Sequence, residues 1–308
     1  MFASILSFHN QRNLSIVQLA TARQDTFQYM SSSKAIKENL VEVKQVSDGG
    51  SVNALIVLNK SGFFVFMMDG DILAGAKQNR VVNTSILLAP MSRTIIPVSC
   101  VEQGRWSRVS DRFSGTPYSA PASLRADKAR RVTENLARKQ GHASNQHEVW
   151  EGVEHYRMVA CVDSPTFNLS DVFDHKAGEL DGFIGHCEPD PNANGLAVFI
   201  DHNLLSMDAF NRKDIYLEYF PKILRGVALE AFYMNKPAGE MKEAEAKFRT
   251  LDFLDRYDTL EFTYHSGVAA GSERRFDCGE LTGFELCYQD EMIHLAALRT
   301  RTVRKDPA

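Results

Sequence analysis

Two polar runs in this 308-residue chain hold most of the residue types that do chemistry. Between Gly75 and Asn83 lie Lys77, Gln78, Asn79 and Arg80, and a little further on come Cys100, Glu102, Arg105 and Trp106. Lys77 and Arg80 supply cationic donors, while Gln78 and Asn79 supply amides that both donate and accept. Arg105 next to Trp106 couples a forked guanidinium to a flat ring, a pair suited to a phosphate or carboxylate carried on a planar group. The leading expectation is therefore a binding site for a small anionic ligand, built from Lys77, Gln78, Asn79, Arg80, Arg105 and Trp106. A second reading makes the chain a hydrolase or transferase on such a substrate, with Glu102 as base or Cys100 as nucleophile. A nucleophilic cysteine needs a lowered pKa and a base at hand. No histidine is near Cys100 in sequence; His265 or His294 would reach it only through the fold. The structural alternative is that the amides satisfy backbone groups at a sheet corner and Trp106 plugs the core. On that view the chain is a scaffold, with the helices of residues 125–150 forming a homo-oligomer interface.

The stretch from Gly70 to Arg80, followed by Ile96 to Trp106, resembles an uncharacterised bacterial family, the ARG- and rhodanese/phosphatase-associated protein domain. The resemblance is specific over residues 40–110 and looser to about residue 300. Gln146 and Trp150 also fall where that family carries a Gln and a Trp. The family's name implies genomic company with ADP-ribosylglycohydrolases, and so a link to nucleotide or ADP-ribose metabolism. It implies no reaction, and no catalytic role is carried over from it.

Other motifs lead away from familiar chemistries. The Asp190 to Asp201 stretch has calcium-loop spacing with Gly195 at the turn, but the apolar run after Gly195 reads as a strand, and an Asx turn accounts for it better. His186-Cys187 and Asp174-His175 lack a partner at ligand spacing, so no metal and no cofactor are expected. Asn168-Leu169-Ser170 fits a glycosylation pattern that has no meaning in the cytoplasm. Arg125, Lys128, Arg130, Arg131, Arg138 and Lys139 make a basic helix, read as a solvated face. No phosphate loop, GxSxG or GxGxxG occurs.

The net charge of −4, with 35 Lys+Arg against 39 Asp+Glu, gives no electrostatic footprint for nucleic acid. Five scattered cysteines without a CxxC pair argue against a disulfide scaffold. Neither a signal peptide nor an apolar run of bilayer length is seen, so the expected location is the cytoplasm, with no membrane partner.

The elements that must position the two runs read as α+β. Runs at 13–20, 41–46, 52–59, 63–68, 80–88 and 93–100 are β-branched or aromatic and broken by turn residues. With no room for crossovers, they predict an antiparallel, sandwich-like N-terminal half. Residues 107–122 read as a mobile connection. Helices are expected at 33–40, 123–140, 145–159, 214–235 (broken at Pro221) and 240–256, with strands at 195–200, 259–265, 284–288 and 292–298. The basic tail 299–305 reads as frayed. The whole is taken as one composite domain, 1–308, with a β-rich half at 1–106 and a mixed α/β half at 123–300. Met68–Leu73 echoes Ile200–Leu205 at an offset of 132, which raises a reading of two related repeats against one of chance between short turns.

Overall fold

The computed structural model describes residues 3–21, 27–47, 49–233 and 239–300. The chain opens with a hairpin, β1 (Ala3–Gln11) and β2 (Leu14–Thr21), after which β3 (Tyr29–Ser31) runs into helix α1 (Ser32–Lys37). Ser31 caps that helix, its hydroxyl accepting from the Lys34 amide at 3.2 Å. Short strands follow: β4 (Val41–Gln45), β5 (Ala54–Asn59), β6 (Phe64–Met67), β7 (Asp71–Gly75), β8 (Arg80–Val82) and β9 (Ile86–Leu88). The longer β10 (Ser92–Cys100) and then β11 (Phe113–Ser119) complete this part. Helices α2 (Ala122–Ala137), α3 (Gln146–Val159) and α4 (Leu169–Ile184) come next, then the hairpin β12 (Gly195–Ile200) and β13 (Asn203–Phe210). Helices α5 (Lys213–Tyr233) and α6 (Glu243–Tyr257) precede a closing meander of β14 (Thr263–Ser266), β15 (Ser272–Asp277), β16 (Leu281–Tyr288) and β17 (Glu291–Arg299). The expected tail at 299–305 falls, beyond residue 300, outside the described residues.

The α+β class holds, but the N-terminal half is a barrel rather than a sandwich. Six strands close in the order β10-β5-β4-β11-β7-β8. Closure depends on β10, which pairs with β5 from Ser92 to Pro97 and with β8 from Val98 to Cys100. Pro97 lacks an N–H where the strand changes partners, which is where a missing ladder donor is tolerated. Strand β11 lies inside the stretch expected to be a mobile connection, and it pairs with β4 and β7 to complete the ring. The barrel is filled by Val43, Leu55, Val57, Leu73, Val82, Ile96, Val98 and Phe113.

A second, eight-stranded antiparallel sheet, β1-β2-β12-β13-β17-β16-β15-β14, draws on both ends of the chain. One face packs Ile16, Leu196, Val198 and Phe210 with Tyr216, Tyr219 and Ile223 of α5. The other packs Val17, Leu19, Phe199 and Met207 with Phe253, Leu254 and Tyr257 of α6. Burial on both faces explains why β12 reads as an unbroken apolar run. A three-stranded sheet, β3-β6-β9, links the layers, with β3 and β6 parallel.

The two echoing turns occupy unlike settings. Ile200–Leu205 makes the β12–β13 hairpin, whereas Met68–Leu73 carries the chain from β6 in the small sheet to β7 in the barrel. Pro221 does not break α5. Its ring is exposed, and the packing of Tyr219, Phe220, Ile223 and Leu224 outweighs the cost of about 3 kcal/mol.

The basic helix α2 is not a solvated face throughout, because Arg125 and Lys128 are buried. Lys128 Nζ donates to the Val82 carbonyl at 2.6 Å. Burial pulls its pKa down to about 7, against a weaker opposing pull from Asp69. Between that value and the unfolded value near 10.4, the unfolded chain binds the extra proton, so this lysine makes stability rise with pH. Lys128→Met is expected to remove a rise of about 2 kcal/mol between pH 7 and 9, seen as the difference between the urea stabilities of variant and wild type. Parallel curves for the two proteins would refute this.

Candidate functional site

The two polar runs meet at one mouth of the barrel because the β10–β8 pairing sets Cys100 opposite Arg80. The loop from Ala76 to Asn79 joins β7 to β8 there, and residues 101–106 leave β10 beside it. Gly75 permits the turn with φ of +128°; a Cβ at this position would sit 2.6 Å from Ser110 Oγ and 2.8 Å from the Arg112 carbonyl.

Arg105 and Glu102 form the centre of the junction. Arg105 donates Nε to Glu102 Oε1 at 2.7 Å and an Nη2 hydrogen to Oε2 at 2.6 Å, a bidentate fork. Its other three N–H groups reach the carbonyls of Ala76 (2.7 Å) and Ser107 (2.9 Å) and Asn79 Oδ1 (3.4 Å). All five guanidinium hydrogens are engaged within the protein. Glu102 also accepts from the Asn79 amide and from Thr166 Oγ1, both at 2.9 Å. The side chains are 12% and 5% exposed, so this is a nearly dry pair that locks the loop to the strand exit.

Arg80 is fully buried. It donates to Gln78 Oε1 at 3.1 Å, to the Asn79 carbonyl and to the Ser51 carbonyl at 3.2 Å. Cys100 is buried beside it and donates its thiol to Gln78 Oε1 at 3.2 Å. Burial raises the thiol pKa, and the nearby Arg80 charge only partly opposes this, so the sulfur is protonated near neutrality and poor as a nucleophile. Gln146, the first residue of α3, grips the Cys100 backbone from both sides, accepting from its N–H and donating to its carbonyl at 2.8 Å each. Asn79 ties the turn to α4: its Nδ2 donates to Asn168 Oδ1 at 3.1 Å, while its Oδ1 accepts from the Gly75 amide at 3.0 Å.

Two of the expected residues face outward. Trp106 is 48% exposed, with Lys77 Nζ 5.3 Å from its ring centre and the Arg80 guanidinium 5.9 Å away. Lys77 also lines a cleft of about 440 Å³ together with Lys44, Gln45, Arg108 and Asp111. Gly50 marks where cleft and ring meet: a Cβ there would lie 3.3 Å from Lys77 Cδ and 3.4 Å from both Gln45 Oε1 and Trp106 Cζ2. Behind the cleft, the one carboxylate of Glu42 answers three cations, Lys44 (2.8 Å), Lys60 (2.6 Å) and Arg112 (2.6 Å). Their bonds and charges hold its pKa down at about 2. Lys44 and Arg108 were not singled out in the sequence; single surface cations carry no spacing signal there.

Sequence reasoning also missed a buried cluster. Arg125 of α2 bridges Asp69 (2.9 and 3.0 Å) and Asp208 (2.5 and 3.1 Å), and His294 Nε2 lies 3.3 Å from Asp208. Asp69, Asp208 and His294 have the close grouping that could hold a metal ion, but the guanidinium supplies the cation. Asp190 and Asp201 stand at opposite ends of β12, and Asp190 Oδ1 accepts from the Asn192 amide in an Asx turn. Asn168 caps α4, accepting from the Ser170 amide at 3.1 Å. Among the described residues, no helix is long and apolar enough to cross a membrane.

The fold and junction define an α+β protein in which a small barrel is sealed at one mouth by a polar network, with a cationic cleft alongside. The chain belongs to the family described as the ARG and Rhodanese-Phosphatase-superfamily-associated Protein domain, whose model matches residues 3–298. No curated protein and no solved structure matches it.

Proposed function

We propose that the chain binds a small anionic ligand bearing a planar ring, of the nucleotide or ADP-ribose kind, in the cleft beside Trp106. The observation that carries this reading is the cation excess around that cleft: Lys77, Lys44 and Arg108 line it with the single carboxylate of Asp111, and behind it Glu42 answers Lys44 and two further cations, Lys60 and Arg112. The Arg108–Asp111 pair at 2.8 Å is exposed and worth at most about 1 kcal/mol, so a bound phosphate can recruit the arginine at little cost. Trp106 offers a stacking face at the rim. A volume near 440 Å³ suits a ligand of this size. Lys77 and Trp106 act in contact with the ligand, while Gln78, Asn79, Arg80 and Arg105 hold the wall that presents them. Glu102 and Cys100 are both buried and engaged, which favours binding over hydrolysis or group transfer at this spot.

Titration with ADP-ribose and with ADP, followed by tryptophan fluorescence, tests the reading. Trp150 lies on the inner side of α3, so Trp106 should dominate the quenching. Lys77→Ala is expected to weaken binding about tenfold, equivalent to about 1.4 kcal/mol. Raising salt should weaken it further, since these charges are exposed. Unchanged fluorescence and unchanged melting temperature at millimolar ligand would overturn the proposal.

A further inference from the structure

The corner where α6 meets the β12–β13 hairpin carries a small cleft of about 170 Å³. Phe199 of β12 and Phe253 of α6, both buried, belong to its apolar floor. Its rim is charged: Arg249, Asp252 and Arg256 come from α6, Glu280 from the β15–β16 turn, and Arg299 from the end of β17.

Two of the three arginines are already answered. Arg249 pairs with Glu245 at 2.9 Å, and Arg256 donates to the Asp252 carboxylate at 2.7 Å and to its carbonyl at 3.3 Å. Arg299 is different. Its side chain is only 32% exposed, yet its one polar contact among the described residues is Glu280 at 3.7 Å, beyond hydrogen-bond length. Glu280 itself is 81% exposed. A guanidinium carries five N–H donors, and holding them away from water beside an apolar floor without an acceptor is unfavourable. An oxyanion in the cleft supplies the acceptors that Glu280 does not. The volume lies well under the roughly 300 Å³ at which pockets for drug-sized ligands begin, so it suits a single phosphate group and not a nucleotide.

We propose that this cleft is a second anion site, taking inorganic phosphate or the phosphate group of a phosphomonoester. Arg299 offers a fork of two N–H groups to two phosphate oxygens, and Arg256 adds the Nη1 hydrogens that Asp252 leaves unengaged. Glu280 is the group the anion displaces, and an exposed carboxylate held this loosely yields at little cost. Beyond Arg299 the sequence runs on through Arg301, Arg304 and Lys305 against one carboxylate, Asp306, which adds positive charge to this part of the chain. The site does not depend on the cleft beside Trp106.

NMR titration with inorganic phosphate, read on the arginine Nε–Hε signals and set against chloride at equal ionic strength, tests this. The Arg299 and Arg256 signals are expected to shift together and saturate, and Lys77→Ala to leave that response unchanged. Arg299→Gln should weaken phosphate about tenfold, read on Arg256. Glu280→Gln, at an exposed position, should tighten it about twofold by removing the competing carboxylate, which keeps the test decisive if Arg299→Gln folds poorly. Methyl phosphate run alongside separates the two sources: tighter binding of the ester assigns a phosphomonoester, and tighter binding of inorganic phosphate assigns the free ion. Shifts that never saturate, equal shifts with chloride, or wild-type phosphate affinity in both variants would each overturn the proposal.

Discussion

Arg105→Ala is expected to cost about 3–5 kcal/mol of stability, because it strands the Glu102 carboxylate in a nearly dry junction. Glu102→Ala should cost a similar amount by stranding the guanidinium. Arg105→Lys keeps the charge and gives up the paired fork to Glu102, so an intermediate loss is expected. Replacing both partners, as in Glu102→Gln with Arg105→Met, should lie closer to wild type than either alanine variant, since no charge is then left without its partner. Urea unfolding of the four variants measures all of this. The sequence equally admits the opposite result, with stability unchanged and anion affinity lost. That outcome would return Arg105 to the ligand and remove it from the wall.

This ambiguity shows what one sequence can and cannot carry. The spacing of Glu102 and Arg105 is visible, and so is the fork geometry available to an arginine. Whether the fork faces a ligand or a carboxylate three residues away depends on how β10 leaves the barrel, which no local pattern records. The convergence of the two runs was legible because short strands with tight turns return to the same sheet edge. Barrel closure was not, since it rests on a single strand, β10, serving two partners in succession. Helix α4 was hidden for a different reason. Its start, Asn168-Leu169-Ser170, matches a glycosylation pattern and a helix cap equally well, and Gly178 and Gly182 lower its local propensity. Packing of Val172, Phe173, Leu180 and Phe183 decides the matter, as it does for α5 across Pro221.

The buried cluster around Arg125 was the largest omission, although part of its signal was present. Arg125, Lys128, Ala129 and Val132 follow the spacing of one helix face, so two cations share a stripe with core residues. Their partners are far away in sequence: Asp69 is at the β6–β7 turn and Asp208 in β13. Arg125→Met is expected to be the most damaging single change in the protein. A lone buried partner loss costs about 3–5 kcal/mol, and here two carboxylates are left behind. Its pH dependence should distinguish this cause from simple loss of packing. In the wild type, burial pushes the Asp208 pKa up, but Arg125's charge and the bonds from His294 and Arg125 outweigh it and hold the group at about 2. That contribution is fully present above the unfolded value near 3.9 and is lost as pH falls through about 2. With the guanidinium gone, burial dominates and raises the carboxylate pKa above the unfolded value. The folded variant then binds more protons than the unfolded chain, so its stability relative to wild type should improve as pH falls from 7 toward 4. Asp69→Asn and Asp208→Asn added to Arg125→Met should restore much of the loss at pH 7 by removing the stranded charges. A variant that loses stability equally at pH 4 and pH 7, with no recovery from the two asparagines, would show that Arg125 acts through its volume and not through its charge.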